Sequence, residues 1–113
     1  MSYTVAVDWD GTITAHPALW AEVIQVFQRH EATVIIITNR PAAWPVEQDL
    51  GIPVLYAAGR PKRAVAAEAG YNVHWWCDDL PILVDLGAAG LDVETHAGHE
   101  AAWREFKHDT IVK

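Results

Sequence analysis

The residues that first suggest chemistry are acids grouped with a hydroxyl, an amide and basic side chains. Asp8, Asp10, Gly11 and Thr12 cluster around Trp9; Thr38, Asn39 and Arg40 are consecutive; Lys62 stands alone; Asp78 and Asp79 are adjacent. Carboxylates brought close together repel one another unless a cation lies between them, and hard oxygen ligands suit Mg²⁺. A hydroxyl, an ammonium and backbone N–H groups at a helix start suit a phosphate. Gly11 permits a backbone conformation that a side chain would hinder. Singly, each piece has an ordinary explanation. Asp-Gly-Thr after a strand is a common turn, and an Asp pair ahead of Leu80 serves as a helix N-cap. The joint placement of these residues depends on the elements that carry them.

Those elements read as alternating strands and helices. Tyr3 to Asp8 is a buried strand. Pro17 starts a helix with Leu19, Trp20, Val23, Ile24 and Phe27 on one face and Glu22, Gln25, Gln28 and Arg29 on the other. Val34-Ile35-Ile36-Ile37 is a β-branched run without alternation, as expected of a parallel strand covered on both faces. A short helix is predicted over Pro45 to Leu50, stopped by Gly51, then a strand over Pro53 to Ala57. An alanine-rich helix follows over Pro61 to Ala69, ended by Gly70. Val73 to Cys77 is a fourth strand and Leu80 to Leu86 a helix. Leu91 to Glu94 alternates as an exposed fifth strand, and His99 to Phe106 is a last helix.

This order predicts an α/β fold with a parallel sheet between helices, whose ligands bind beyond the carboxyl ends of the strands. The singled-out residues then share one edge. Asp8 to Thr12 follow the first strand, Thr38 to Arg40 the second, and Asp78-Asp79 the fourth, while Lys62 lies in the first turn of a helix. Arg40, Trp44 and Arg60 lie in loops expected to face the same crevice and are candidates for substrate recognition. Trp9 either lines the site or packs, and packing is the favoured reading.

Composition narrows the class. A length of 113 residues suits a single domain spanning 1–113, and 51% apolar residues suffice for a core. No apolar run approaches the roughly 20 residues of a membrane span, and the first residues read as a strand and not as a leader. A net charge of −7 argues against a nucleic-acid groove. Cys77 is the only cysteine, so no internal disulfide forms, and a reducing compartment, the cytoplasm, is expected.

Asp8-x-Asp10-Gly11-Thr12, then Thr38, then Lys62, then Asp78-Asp79 resembles the four ordered motifs of the haloacid dehalogenase-like superfamily, over about the first 90 residues. The resemblance implies a three-layer Rossmann-like fold with a five-stranded parallel sheet of order 5-4-1-2-3. It implies a Mg²⁺-dependent phosphatase in which Asp8 attacks phosphorus and forms an aspartyl-phosphate. Asp10 would protonate the leaving oxygen and then activate water, its backbone carbonyl also reaching the metal. Thr38, with Asn39 beside it, and Lys62 would hold the phosphoryl group; Asp78 would bind Mg²⁺, with Asp79 as a second ligand or outer acceptor. The family's caps are inserted after the first motif or before the Lys motif. The gaps from Thr12 to Pro17 and from Ala58 to Pro61 are too short for one, so a capless cleft is expected. Such a cleft needs a large phosphorylated substrate or a second subunit to cover it; self-association is the favoured choice. The alternatives are a catalytically silent member and a phosphoacceptor module. In receiver domains, however, the acid pair comes first and the Lys late, the reverse of the order here.

Overall fold

The computed structural model describes residues 2–87. In chain order they form β1 (Thr4–Val7), α1 (Pro17–Arg29), β2 (Thr33–Thr38), β3 (Val54–Tyr56), α2 (Lys62–Glu68), β4 (Trp75–Cys77) and the single turn α3 (Ile82–Asp85). A tight turn, Trp9–Ile13, joins β1 to the approach of α1. No described helix is long and apolar enough to cross a membrane.

The four strands are all parallel, in the order β3-β2-β1-β4. The expected fifth strand, Leu91 to Glu94, and the expected last helix, His99 to Phe106, lie outside the described residues. The described residues thus hold the first four of the five expected strands.

Alternation along the strands explains both layers around the sheet. Successive side chains of a strand point to opposite faces. Val5, Val7, Val34 and Ile36 form one core cluster with Ile24 of α1, Ile13 and Ile52. Ala6, Ile35 and Ile37 form the other with Ala66 of α2. The unbroken apolar run of β2 is thus consumed on both sides, as a central parallel strand requires. At the amino ends of the strands Tyr3 stacks on Trp75 at 5.1 Å, with His74 edge-on to the same ring.

The register positions the site. Val7 pairs with Ile36 on one side and with Cys77 on the other. The next residues along β1 and β4, Asp8 and Asp78, therefore leave the sheet side by side, and the Asp8 N–H donates to the Cys77 carbonyl at 2.9 Å. β2 runs on to Thr38 beyond the last residue of β1 and so brings Thr38 to the same edge.

Two expectations are corrected. Residues 45–50 are not helical. A helix this short is marginal, and here side chains take up its backbone groups. The Gln48 Oε1 accepts from the N–H groups of Leu50 and Gly51, its Nε2 donates to the Ile52 carbonyl, and the Val46 N–H donates to the Tyr56 hydroxyl. On α1, Ile24 is fully buried, whereas Leu19 is 54% exposed. Five residues at 100° each place Leu19 about 140° around the helix from Ile24, beyond the stripe that the sheet covers.

Because Ile36 lies at the centre of this packing with no exposed surface, Ile36→Ala is expected to lower stability by about 2–5 kcal/mol. Urea unfolding should show a lower midpoint with an unchanged slope.

Candidate functional site

The turn after β1 is built around Gly11. Asp8 and Asp10 have extended backbone, and Gly11 takes a left-handed φ of 83°. Its N–H donates to the Thr14 Oγ1 at 2.9 Å, and the Thr14 N–H closes the turn on the Trp9 carbonyl at 3.1 Å. A Cβ at position 11 would run into the Asp79 carboxylate. Glycine is therefore required twice, for its conformation and for the close approach of the β4 end.

At the centre lies a buried lysine between two buried aspartates. The Lys62 Nζ is 2.8 Å from the Asp8 Oδ1 and 2.6 Å from the Asp78 Oδ2. The side chains of Lys62 and Asp78 are each 1% exposed and that of Asp8 3%. α2 begins at Lys62, so the first residue of the helix carries its amine beneath the strand ends. Backbone groups hold the acids as well. The Asp78 Oδ1 accepts from the Leu80 N–H at 2.9 Å, and Thr12 accepts from the Asp79 N–H at 3.2 Å while its hydroxyl makes a longer 3.4 Å contact to the Asp8 Oδ2.

Burial pushes the Asp8 carboxyl well above the usual carboxylate range; the Lys62 ammonium pulls it down and the charge of Asp78 pushes it further up. Burial also works against the Lys62 ammonium, but the carboxylates of Asp8 and Asp78 outweigh it and raise its pKa. Lys62 is thus held in its charged form, while the surroundings of Asp8 oppose its ionisation. With the folded pKa of Asp8 raised, its ionisation costs stability as pH rises through that value. Burial, then Asp78, pushes the neighbouring Cys77 thiol up as well.

The other expected residues divide into two groups. Arg40 grips Asp10 with both arms of its fork, Nε to Oδ2 at 2.8 Å and Nη2 to Oδ1 at 2.7 Å. Its Nη1 donates to the Pro45 carbonyl at 3.2 Å, and the guanidinium carbon lies 3.6 Å from the centre of the Trp44 ring. Thr38 is wholly buried, and its Oγ1 accepts from the Arg40 N–H at 3.1 Å, which leaves the hydroxyl proton to donate. Asn39 is also buried, and its Oδ1 accepts from the Gly59 N–H at 3.1 Å, tying the end of β2 to the loop before α2. Trp9 packs against the core cluster on the α1 side. Arg60 pairs with Glu68 on the exposed surface, with more than half of each side chain accessible.

Beside the acids opens a pocket of about 320 Å³ lined by Gly11, Thr12, His16, Trp20, Cys77, Asp78 and Asp79. His16 and Trp20 were not foreseen there. Trp20 reads as part of the apolar stripe of α1, and the one signal for His16 is its place just before the start of that helix. Asp8, Asp78 and Asp79 each offer a carboxylate oxygen, and these lie within 4.8 Å of one another. One ammonium offsets one of three carboxylates, so the donor set fits a hard divalent cation in both ligand type and charge.

Comparison with protein-family models, with curated proteins and with solved structures finds no match.

Removing one partner of a buried ion pair leaves an uncompensated charge. Lys62→Met is therefore expected to destabilise the chain by about 3–5 kcal/mol, and adding Asp8→Asn to it should recover part of that loss. Denaturant unfolding of the two variants, with chelator present throughout, measures both steps.

Proposed function

We propose that the chain hydrolyses phosphate monoesters through an aspartyl-phosphate on Asp8, as a haloacid dehalogenase-like phosphatase. The observation that carries this reading is the buried Asp8–Lys62–Asp78 cluster at the carboxyl edge of a parallel sheet, with Asp79 in reach. A paired but buried nucleophile, an ammonium and a hydroxyl at one edge suit a reaction in which catalysis is mostly positioning and charge stabilisation.

In this reading a carboxylate oxygen of Asp8 attacks phosphorus, and the bond to the ester oxygen breaks. We assign the attack to Oδ2, whose contact to the Thr12 hydroxyl is long at 3.4 Å, while Oδ1 stays on Lys62 at 2.8 Å. The Lys62 ammonium and the Thr38 hydroxyl donate to the phosphoryl oxygens. Asp10 gives a proton to the departing oxygen, then takes one from a water that attacks phosphorus, releasing phosphate and restoring Asp8. Splitting one displacement into two lowers each barrier. Asp8, Asp78 and Asp79 would hold Mg²⁺, which when bound supplies positive charge against the phosphoryl oxygens. Asn39 acts by bracing the β2 end against the loop before α2. The links from β1 to α1 and from β3 to α2 carry no inserted lid, so the wall of the cleft would come from a large phosphorylated substrate or from a second copy of the chain. A cytoplasmic setting fits the lone, half-buried thiol.

Asp8→Asn is expected to cut Mg²⁺-dependent hydrolysis of p-nitrophenyl phosphate by at least about a thousandfold. Since the folded protein disfavours the Asp8 anion, the same variant without metal should unfold at neutral pH no more readily than the unsubstituted chain. Full activity in Asp8→Asn would defeat the mechanism. A stable phosphoprotein without turnover would point to a phosphoacceptor instead.

Asp78→Ala should weaken Mg²⁺ binding by at least about tenfold in calorimetric titration, and chelator should abolish turnover reversibly. Unchanged affinity would remove Asp78 from the metal site.

A further inference from the structure

The fork between Arg40 and Asp10 has no place in the chemistry above. Arg40 follows the buried Thr38-Asn39 pair at the end of β2, and its own N–H is anchored on the Thr38 hydroxyl. From this root the guanidinium is held on three sides. Two arms lie on the Asp10 carboxylate, a third N–H lies on the Pro45 carbonyl, and the ring of Trp44 covers a face. The loop behind it is built in advance. Gln48 ties its backbone together and Tyr56 holds Val46, so Trp44 and Pro45 present a prepared surface and not a chance contact. The Arg40 side chain is only 11% exposed.

This arrangement leaves the guanidinium little to offer a substrate, although recognition of a substrate was the expectation from its loop position. The backbone on both sides of Asp10 is already fixed, by the Cys77 carbonyl at Asp8 and by Thr14 at Gly11. The fork acts on what the backbone leaves open, the side-chain rotamer of Asp10.

We infer that Arg40, seated on Trp44 and the Pro45 carbonyl, is a positioning residue that fixes the Asp10 carboxylate for proton transfer. The inference rests on the phosphatase reading above. Its motive is geometric: a general acid–base must lie within hydrogen-bond reach of the proton it moves, and a displacement of about 1 Å can cost about a hundredfold in rate. Trp44 supplies the flat face that keeps the fork in the plane of the carboxylate, a role for which lysine is no substitute.

The test is steady-state kinetics on p-nitrophenyl phosphate with Mg²⁺, for the unsubstituted chain, Arg40→Met, Arg40→Lys, Trp44→Leu, Asp10→Asn and the Asp10→Asn/Arg40→Met pair. Arg40→Met should lower kcat about ten- to a hundredfold while KM changes by less than about threefold. Arg40→Lys should restore only part of kcat, and Trp44→Leu should lower it in the same direction by less. Once Asp10 is Asn, adding Arg40→Met should cost nothing further in kcat, because a residue acting through another loses its effect when that other is gone. Thermal unfolding of each variant identifies any that fail to fold. Should Arg40→Met be among them, Arg40→Lys and Trp44→Leu carry the test. Losses that multiply in the double variant, or a raised KM at unchanged kcat, would overturn the inference and return Arg40 to substrate binding. So would Arg40 variants with the kcat of the unsubstituted chain, and in all these cases the phosphatase reading survives. An unsubstituted chain with no Mg²⁺-dependent turnover would overturn both.

Discussion

One ammonium, that of Lys62, joins the ends of β1 and β4 to the start of α2, and the rest of the site is arranged around it. Bringing a lysine and two aspartates out of water costs several kcal/mol per ion, and their attraction offsets this only when distances and further hydrogen bonds are favourable. Here the distances are 2.6 and 2.8 Å, and the Leu80 N–H donates to the Asp78 carboxylate. A core of similar volume made from apolar side chains would serve stability as well or better. The cluster is therefore better explained by chemistry than by folding. The raised Asp8 pKa has the same origin, because its surroundings oppose the very charge that the proposed reaction uses.

The parallel sheet makes this concentration possible. Its strands all deliver their carboxyl ends to one edge, and the register of β1 with β4 sets Asp8 and Asp78 next to each other. Repulsion between those two acids is tolerable only with positive charge between them. The helix that follows β3 begins with the residue that supplies it. The two apolar clusters above and below the sheet hold the strand ends rigid, so that a few tenths of an ångström in side-chain placement are set by packing and not left to chance.

Around this buried centre sits a second ionic group of different character. The pair of Asp10 and Arg40 is partly accessible, and its geometry comes from planar fit and not from exclusion of water. It links the turn after β1 to the loop after β2, and neither residue lines the pocket bordered by His16 and Trp20. Asp8, the proposed nucleophile, is thus held by a point charge in the core, and Asp10, the proposed proton-transfer group, by a fork at the rim. This division suits a group that stays put and a group that must exchange protons with solvent.

Much of the fold and most of the central cluster could be read from the sequence. The run Val34 to Ile37, unbroken and β-branched, announces a strand buried on both faces, and alternation of such runs with helical stretches announces a parallel sheet. Asp8, Lys62 and Asp78 are legible because each stands at a strand end or helix start, and topology alone brings such positions together. Side-chain geometry is not legible in this way. The grip of Arg40 on Asp10, from thirty positions away, depends on how two loops turn. The irregular course of residues 45–50 depends on a glutamine taking the Leu50 N–H that a helix would have used, and on a tyrosine hydroxyl holding Val46 from β3. The exposure of Leu19 depends on which arc of α1 meets the sheet. Sequence pattern determined the elements and the edge where the acids gather, because period and strand direction are local properties. Tertiary structure alone decided which acid is buried on Lys62 and which is held at the rim by Arg40, because that choice depends on contacts between segments distant in the chain.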